Sequence, residues 1–552
     1  LDPWGAPVAG AGTENAAGCT CDGGGVRPFT IGYYTCIVTR RERPPEEGAA
    51  DNSGQGREAT MAFSEDIEGR LFIDGKFTEG VAGRRYDVIN PADESVIASA
   101  VDADPEDVSN AVAAADNAAH STDWSTNHAF RRKCLDQLQN ALRKQADNFR
   151  ALAVAEAGTP YSATLTHVTA QIDDMSYFNG LIETWPWERD LPAYELLGMQ
   201  SKRRIRYEPY GVVGAISPWN APFMTNIWKV GHALATGNAV VLKSAPDTPL
   251  TAALIAKVAA EQTDLPPGVL NTISSADKAI AGEALTTDQR VGLLHFTGSP
   301  QVGQRIAQNA AVGIRHTVLE LGGKSANVLL PDANLDMACA VGVGMCMSNS
   351  GQGCALATRM VVHADIYDEV IARLQAAVAA LPWGDPADES TVVGPIIRAE
   401  QLERIEGLVE RAVTDGARLV VGGHRGDRDG KGFWYVPTVV ADVDENAELA
   451  QTEVFGPVLT VVRYDGDDDE AVRVANNSLY GLSGYVQSTD EQRAWRVANR
   501  LKAGTVNINN SFYLSPDAPF GGYGISGDGV EHGEDGFRDY LQVKTIASPA
   551  GY

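Results

Sequence analysis

Between residues 211 and 299 the chain alternates short β-rich segments with helical stretches, and this alternation restricts its fold more than any other feature. The segments YGVVGAIS, NAVVLKSA, VLNTISS and GLLHFTGS are separated by periodic stretches such as TAALIAKVAAEQ. Strand, helix, strand at this spacing predicts βαβ units and a parallel sheet with ligand sites at the carboxyl ends of its strands. A second such series runs from residue 359 to about residue 509. The predicted fold class is α/β.

Local signals predict some elements more sharply. RLFIDGKF alternates around Asp74-Gly75, which is typical of a β-hairpin. Asp104 followed by Pro105 and two acidic residues predicts an N-cap and a helix through about Ala119. Further helices are expected up to residue 157, where Gly158 marks the stop.

The stretch from residue 316 to residue 359 carries the two residues with the strongest chemical signal. Glu320 ends the apparent strand HTVLE, and Cys354 follows 34 residues later in the sequence SGQGC. Glycines beside a cysteine let a small electrophile reach both the sulfur and the neighbouring backbone N–H, since no Cβ blocks the approach. A nearby carboxylate can activate water once a covalent intermediate has formed. Cys354 is therefore the candidate nucleophile and Glu320 the candidate base.

Both residues also have a structural interpretation. A free cysteine is most often buried in a core, and Cys339 and Cys346, seven residues apart on one apparent helix face, fit that role. Cys354 does not fit it, because its neighbours are glycines rather than bulky apolar residues. Glu320 could equally be a carboxylate exposed at a strand end.

Two further polar residues stand at predicted strand ends. Asn220 lies between two prolines in PWNAPF, and a rigidly held side-chain NH2 is the donor that a developing oxyanion needs. Its structural alternative is a capping residue in a rigid turn. Lys243 ends the strand NAVVLK, where it can hydrogen-bond a ribose hydroxyl or simply face solvent.

Gly298 and Ser299, followed by Gly303, mark a junction between a strand and a helix. Small residues at such a junction expose helix N-terminal N–H groups to a phosphate, which suits a dinucleotide although the glycine spacing differs from GxGxxG. A plain turn is the alternative. In EVFGP, Glu453 and Phe455 offer a carboxylate and an aromatic ring spaced to meet the two faces of one ligand.

The composition excludes other classes of protein. With 45 Lys and Arg against 72 Asp and Glu, the net charge of −27 argues against nucleic acid and anionic membrane partners. No apolar run reaches the roughly 18 residues of a membrane span. Seven cysteines without regular spacing predict neither a disulfide framework nor a metal site, so the expected location is the cytoplasm. Residues 1–60 lack periodicity, and we expect a disordered or misassigned extension.

The order of these motifs resembles the aldehyde dehydrogenase superfamily, in particular its NAD(P)-dependent, non-acylating members. PWNAPF, FTGS, LELGGKS, GQGC, EVFGP and PFGGYGISG occur in the family's order, over roughly residues 70–546. The resemblance implies that Cys354 is the nucleophile, that Glu320 activates the hydrolytic water and that Asn220 with the cysteine N–H holds the oxyanion. It implies NAD as cofactor, with NADP as the alternative, bound by Ile216, Trp219, Lys243, Gly298, Ser299, Gly303, Leu321, Glu453 and Phe455.

The resemblance also implies a domain plan. We expect a Rossmann-type NAD-binding domain over residues 61–190 and 211–322, a catalytic α/β domain over 323–523, and a small β oligomerisation extension over 191–210 and 524–552. This extension predicts a homodimer or homotetramer.

The substrate tunnel follows from the same resemblance. By match, the residues that line it are Phe223, Met224, Trp228, Leu356, Phe512, Tyr513 and Leu514. The lining is mostly apolar and holds no arginine or lysine, so a hydrophobic aliphatic or aromatic aldehyde is expected rather than a semialdehyde acid.

Three positions depart from the family pattern. Pro246 stands where many NAD-preferring members have a glutamate three residues after the ribose lysine; its absence removes a partner for the 2′-hydroxyl and a source of repulsion for a 2′-phosphate. Asp277 would repel a phosphate if it points into the site, which favours NAD. Gly524 stands where PFGGY is normally followed by lysine, close to the expected subunit contacts.

Two other functions stay open. A CoA-acylating relative would transfer the acyl group to CoA, but such enzymes usually lack the base that Glu320 supplies. A non-catalytic structural or binding relative would most simply have lost Cys354 or Glu320, and both are present.

Overall fold

The computed structural model describes Ile67, residues 69–511 and residues 514–550. The predicted extension 1–60 lies outside these residues, as do the predicted substrate residues Phe512 and Tyr513. The described chain forms two large sheets, whose strands are mostly parallel, and three smaller antiparallel sheets. No helix within this part is both long and apolar enough to cross a membrane.

The strands divide into two groups along the chain. The first group is β1 (Leu71–Ile73), β2 (Lys76–Thr78), β3 (Arg85–Ile89), β4 (Val96–Val101), β5 (Glu188–Leu196), β6 (Met199–Pro209), β7 (Val212–Ile216), β8 (Ala239–Lys243), β9 (Leu270–Ile273), β10 (Val291–Gly298) and β11 (His316–Leu321). The second group is β12 (Ala326–Leu329), β13 (Arg359–His363), β14 (Arg418–Val421), β15 (Thr438–Ala441), β16 (Val458–Tyr464), β17 (Tyr480–Gly481), β18 (Ser483–Gln487), β19 (Thr505–Ile508), β20 (Tyr523–Gly524), β21 (Gly527–Asp528) and β22 (Leu541–Pro549).

The helices are interspersed with these strands. They are α1 (Pro105–Ser121), α2 (His128–Lys144), α3 (Ala146–Ala157), α4 (Gln171–Thr184), α5 (Pro222–Ala235), α6 (Pro249–Gln262), α7 (Lys278–Thr287), α8 (Pro300–Gly313), α9 (Leu335–Met347), α10 (Tyr367–Ala379), α11 (Ala399–Thr414), α12 (Glu448–Gln451), α13 (Asp468–Ala475), α14 (Glu491–Ala498) and α15 (Gly533–Asp539).

The local predictions in the first part of the chain are confirmed. Asp74 and Gly75 both have positive φ, 51° and 75°, and turn β1 into β2. The Asp104 side chain accepts hydrogen bonds from two backbone N–H groups of the first turn of α1, with Pro105 at the first helical position. Gly158, with φ 67°, ends α3 in the left-handed conformation.

The larger sheet has eight strands in the order β2-β1-β9-β8-β7-β10-β11-β21. The five strands from β9 to β11 are parallel, whereas β1 and β21 join antiparallel at either side. The chain moves outward from β7 to β9 and then returns to place β10 on the other side of β7. This reversal creates a crevice at the carboxyl ends of β7 and β10, where parallel sheets bind ligands. The predicted βαβ sheet is confirmed.

The second sheet has seven strands in the order β14-β15-β16-β13-β12-β18-β19, all parallel except β14. Hydrophobic cores cover both of its faces. Because β12 follows β11 after only four residues, the second sheet begins directly beyond the end of the first.

A three-stranded antiparallel sheet, β22-β6-β5, stands apart from both large sheets. It draws on both segments predicted for oligomerisation, although β5 begins at Glu188 and residues 527–528 join the larger sheet instead. Its apolar side chains Leu196, Met199 and Val543 are exposed.

Candidate active site

Cys354 lies in a loop after α9 that three consecutive residues with positive φ fold back. These are Asn349 (φ 48°), Ser350 (φ 59°) and Gly351 (φ 69°). Only glycine fits at the third position, because a Cβ there would lie 2.0 Å from the carbonyl oxygen of Gly456. The loop leaves Cys354 half-buried, unlike the other cysteines of the described chain.

The other cysteines of the described chain are structural. Cys339 and Cys346 pack in the core beneath α9, and Cys134 is fully buried on α2. Burial raises the pKa of the Cys346 thiol to about 12. The sequence-based distinction between these cysteines and Cys354 is therefore consistent with their burial.

The Asn220 amide links the first sheet to the cysteine loop. Its Nδ2 donates to the carbonyl oxygen of Gln352 at 2.9 Å, and the Asn349 Nδ2 donates to the Asn220 carbonyl oxygen at 2.8 Å. Gln352 is itself fixed, since its side-chain oxygen accepts from the Ile397 N–H at 3.0 Å. An amide nitrogen carries two hydrogens. With one committed to Gln352, the other is available for an oxyanion.

Glu320 is buried at the end of β11, not exposed as the structural alternative would have it. Glu320 is only 2% exposed, and neither of its carboxyl oxygens has a hydrogen-bond partner among the described residues. Burial raises the pKa of this carboxyl well above its ordinary value of 4.5, the Glu531 carboxylate raises it further and Lys229 opposes this. An unpartnered buried carboxyl is costly and is a group that can accept a proton from a bound water.

The segment after Glu320 contacts the cysteine loop directly. A Cβ on Gly323 would lie 2.5 Å from the carbonyl oxygen of Cys354, so the two backbones can approach only because residue 323 is glycine. Burial raises the pKa of the Cys354 thiol to about 12, and the Glu453 and Glu320 carboxylates contribute to that rise. The proposed nucleophile and base therefore lie within electrostatic reach of each other.

A buried network behind Glu320 was not predicted. Lys229 Nζ lies 2.9 Å from Glu531 Oε1, 2.6 Å from Thr297 Oγ1 and 3.1 Å from His295 Nε2. His295 Nε2 lies 2.7 Å from the same Glu531 oxygen, and His295 Nδ1 pairs with the Tyr540 hydroxyl. Lys229 and His295 stabilise the ionised form of Glu531, whose pKa falls far below its usual range.

One signal in the sequence could have revealed this network. Lys229 interrupts the helix sequence PFMTNIWKVGHALA, of which only Met224 is not buried. A charged residue in a helix buried on all sides requires a partner, because an unpaired buried charge is highly unfavourable. The identity of that partner, 302 residues later at Glu531, could not be read from the sequence.

Lys243 occupies the end of β8 with its side chain enclosed. The residue is 3% exposed, and its Nζ donates to the Ser244 carbonyl oxygen at 3.3 Å. Burial lowers the pKa of Lys243 to about 8. Ile216 pairs with it in register from β7. An enclosed ammonium with a single long hydrogen bond fits ribose hydroxyls, which supply further acceptors, and does not fit a solvated surface lysine.

The strand-to-helix junction at residue 299, the predicted pyrophosphate contact, is a capped helix N-terminus. Ser299 is the N-cap of α8, and its hydroxyl accepts from the Val302 N–H at 3.4 Å. Gly298 ends β10 beside it. A Cβ on Gly303 would lie 2.6 Å from the Leu321 side chain, so glycine lets α8 pack closely on β11. The N-terminus of α8 thus opens toward the crevice.

The EVFGP segment contacts residues that follow β7 and β11 of the larger sheet. The Phe455 ring contacts the Trp219 ring edge to face, with centroids 5.3 Å apart. Phe455 has φ 57°, and Gln401 Nε2 holds its carbonyl oxygen at 2.9 Å. Glu453 Oε1 accepts from the Gly323 N–H at 2.9 Å, and burial raises the pKa of this carboxyl to about 7.

The predicted substrate residues divide into two sets. Trp228, Met224 and Leu514 pack in one small apolar cluster with Cys354, together with Leu482 and Phe520, which were not predicted. Leu356 lies against Gly353, beside the nucleophile.

Phe223, in contrast, is placed away from the nucleophile. It is 1% exposed and packs against Phe149, with ring centroids 4.7 Å apart, in the core of the larger sheet. Successive residues of α5 point in different directions, so Met224 faces the cluster while Phe223 faces the core. The expectation that Phe223 lines the tunnel does not agree with this placement.

The structure also shows the surroundings of two of the three positions that depart from the family pattern. Asp277 caps α7, accepting from the Ala279 and Ile280 N–H groups at 2.8 and 3.1 Å, so its carboxylate is engaged with its own helix. Gly524 has φ 61°, and a Cβ there would lie 2.5 Å from the Leu479 carbonyl oxygen. A lysine at position 524 would be strained in this backbone.

In the described ranges no three His, Cys, Asp or Glu side chains form a group that could hold a metal ion. The crevice of the larger sheet meets the cysteine loop through the hydrogen bond from Asn220 to Gln352. A doubly wound sheet whose switch-point crevice adjoins a half-buried cysteine is an arrangement typical of dinucleotide-linked α/β oxidoreductases.

Comparison with known proteins specifies that class. The aldehyde dehydrogenase family matches residues 77–546. An aldehyde dehydrogenase of Alternaria alternata is 38% identical over 485 residues, which cover 87% of this chain and 95% of the relative. The chain belongs to the aldehyde dehydrogenase family, as the motifs predicted, and is an aldehyde-oxidising enzyme.

Two solved structures share the fold over most of the chain. Betaine aldehyde dehydrogenase of Staphylococcus aureus in complex with NAD+ has a TM-score of 0.84 at 33% identity, covering 88% of this chain and 96% of that one. A mutant of an aldehyde dehydrogenase from Pseudomonas syringae, complexed with NAD+ and octanal, has a TM-score of 0.82 at 34% identity, covering 88% and 98%. The predicted α/β fold of the aldehyde dehydrogenase type is confirmed.

Proposed function

We propose that this chain oxidises a hydrophobic aldehyde to its carboxylic acid with reduction of NAD, through a covalent intermediate on Cys354. The observation that supports this most is the junction of three distant segments. The cysteine loop accepts a hydrogen bond from Asn220 and abuts Gly323, three residues beyond the buried, unpartnered carboxyl of Glu320.

In the first step the Cys354 thiol loses its proton to water, and the resulting thiolate attacks the aldehyde carbon. A C–S bond forms, and the carbonyl oxygen takes the negative charge. The free hydrogen of the Asn220 amide and the backbone N–H of Cys354 stabilise that oxygen, while Gln352 fixes the direction of the amide. Donors that are already oriented need no reorganisation as the charge develops.

The cofactor side of the crevice suits NAD. When bound, NAD supplies the acceptor for the hydride that leaves the aldehyde carbon. Lys243 and Glu453 would hold the two riboses, and Ser299 at the N-terminus of α8 would hold the pyrophosphate. The Trp219–Phe455 pair would line the nicotinamide end. Loss of hydride leaves a thioester on Cys354.

Hydrolysis of the thioester is assigned to Glu320. Its carboxylate accepts a proton from water, the resulting hydroxide adds to the thioester carbon, and the C–S bond breaks to release the acid and the thiolate. A raised pKa makes the carboxylate a stronger base than an ordinary glutamate.

The tunnel residues favour an apolar aldehyde. Trp228, Met224 and Leu514 surround the approach to Cys354 with apolar surface. The Pseudomonas syringae neighbour was solved with octanal, whereas the Staphylococcus aureus neighbour is a betaine aldehyde dehydrogenase. We expect octanal and benzaldehyde to show the higher kcat/KM, and a preference for betaine aldehyde or succinate semialdehyde would contradict this.

The experiment that tests the activity is NADH formation across an aldehyde panel, with the acid and any acyl-CoA product identified. Wild type should produce NADH and free acid without CoA. Cys354→Ala should produce neither, while Cys346→Ala, at a buried cysteine outside the site, should retain activity. A requirement for CoA would support the acylating alternative, and activity in Cys354→Ala would refute the nucleophile. Absence of activity in folded wild type would support a non-catalytic role.

We further propose that the chain assembles as a homodimer or homotetramer through the β22-β6-β5 sheet. Both edge strands of this sheet and its exposed Leu196, Met199 and Val543 suit pairing with a second copy. Light scattering with size exclusion measures the mass directly. A monomer at micromolar concentration would contradict the proposal.

A further inference from the structure

We propose that Asp247 makes this chain select NAD over NADP, a role that rests on the proposed function. Position 246 is a proline and cannot supply the carboxylate that distinguishes a 2′-hydroxyl from a 2′-phosphate. The next residue, Asp247, follows the proposed ribose ligand Lys243 by four residues and pairs with Lys278 and Arg398.

Asp247 is the centre of an ion cluster at the rim of the crevice, which also includes Glu400, whose Oε2 lies 3.7 Å from Arg398 Nε. Its Oδ2 lies 3.1 Å from Arg398 Nη1 and 3.6 Å from Lys278 Nζ. The Asp247 side chain is 17% exposed, so its charge is only partly screened by water. Asp247 follows Lys243 by four residues, and its charge raises the pKa of Lys243 whereas that of Lys278 lowers it.

The cluster joins the two halves of the crevice. Asp247 follows β8 of the larger sheet, whereas Arg398 immediately precedes α11, which packs on the second sheet. The Arg398 guanidinium also lies over the Trp219 ring, 5.5 Å from its centroid. The carboxylate is therefore held from both sides and cannot swing out to solvent without losing both cations.

This arrangement acts on a 2′-phosphate in two ways. The Asp247 carboxylate repels the dianion directly, as a glutamate at position 246 would. It also occupies Arg398 and Lys278, the two cations that would otherwise attract a phosphate. A 2′-hydroxyl meets neither penalty, because it can donate a hydrogen bond to the same carboxylate.

The nearby Asp277 provides a matched control. Asp277 also raises the pKa of Lys243, but its Oδ1 accepts hydrogen bonds from two backbone N–H groups of α7. Asp277→Asn removes a negative charge in the same region and retains a good N-cap. Asp247→Asn removes the charge that the ion cluster depends on.

The test is direct binding of NAD and of NADP to the purified, full-length chain, measured by calorimetry, together with kcat/KM for both. Asp247→Asn should tighten NADP binding about tenfold and leave NAD within about threefold, since one charge–charge interaction near a surface is of this size. Asp247→Glu should restore the wild-type preference. Lys278→Ala should cancel much of the gain when added to Asp247→Asn.

Each outcome has a separate meaning. An unchanged ratio of NADP to NAD affinity in folded Asp247→Asn, or an equal change in Asp277→Asn, would overturn the role of Asp247 alone. Wild type that binds neither nucleotide would overturn the proposed function itself. If Asp247→Asn loses its thermal stability, the single substitution Lys278→Ala provides the test instead. The role proposed for Asp247 requires Lys278→Ala to weaken NADP binding more than NAD binding.

Discussion

Two buried glutamates show how differently the same side chain can be used in one fold. Glu156, at the end of α3, accepts hydrogen bonds from the Leu250 and Thr251 N–H groups at 3.0 and 3.1 Å and from the Thr251 hydroxyl. Glu320, at the end of β11, has no hydrogen-bond partner among the described residues. Burial raises the pKa of both.

The difference separates a structural carboxyl from a reactive one. Glu156 satisfies three donors of α6 at its first turn, so it acts as a cap supplied by another helix. Glu320 leaves its oxygens free and instead faces the charges of Glu531 and Lys229. A buried polar group without a partner destabilises the fold, and such groups persist where function requires them.

Replacing Glu320 should produce the greatest loss of activity. We expect Glu320→Gln to slow steady-state acid formation by roughly 10²–10⁴-fold, because a general base is lost. One equivalent of NADH per site should still form, since hydride leaves before hydrolysis. Rapid-mixing absorbance measures this burst. The melting temperature should stay level or rise, and a large fall would mean that Glu320, like Glu156, is structural.

Replacing Glu156 should do the reverse. Glu156→Ala leaves three donors of α6 without an acceptor, so we expect a loss of about 2–4 kcal/mol in the free energy of unfolding. Residual activity per folded molecule should stay close to wild type. Urea denaturation measures the first quantity, and Glu156→Gln, which keeps one acceptor oxygen, should lose less. A Glu156→Ala protein that is stable but inactive would end the distinction between the two carboxyls.

The sequence predicted the surroundings of these glutamates unequally. Strand periodicity and the GQGC glycines predicted the sheet, the end of β11 and the loop of Cys354, because these are local properties of backbone and side-chain pattern. The charge that tunes Glu320 depends on Lys229 and Glu531 meeting across 302 residues of chain. Such a contact is fixed by packing, and no local signal specifies it.

The same limit explains the outcomes at other sites. Phe223 and Met224 are adjacent in sequence, and only the rotation of α5 decides that one faces the core and the other the cluster beside Cys354. Asp277 was expected to repel a phosphate if it pointed inward, but capping of α7 engages its carboxylate. In both cases the sequence specifies the type of side chain but not the direction in which that side chain points.

Replacing Glu531 should move the pH dependence of hydrolysis. Glu320 works as a base only when ionised, so the rate rises as pH increases through its pKa. The negative charge of Glu531 raises that pKa, and its removal must lower it. We expect Glu531→Gln to shift the acidic limb of thioester hydrolysis toward lower pH. The exposed Glu534 provides the control in Glu534→Gln, and a shift toward higher pH would contradict the coupling.

Glu453 is intermediate between Glu156, whose carboxyl has three donors, and Glu320, whose carboxyl has none among the described residues. We expect replacing Glu453 to have the smallest effect of these substitutions. Its carboxyl has one backbone donor, Gly323 N–H at 2.9 Å, and a pKa raised to about 7. If the ionised form holds a ribose hydroxyl, NAD binding favours that form. Affinity must then increase as pH rises through about 7 and level off above it. A hydrogen bond to a charged acceptor predicts a gain of about fivefold. Calorimetric titration with NAD from pH 5.5 to 8.5 measures this gain in affinity.

Glu453→Gln keeps an acceptor for Gly323 but does not titrate, so its NAD affinity should lose this pH dependence. An equal dependence in Glu453→Gln would assign the titration to another group, and a fall in affinity over this range in wild type would mean that NAD prefers the neutral carboxyl.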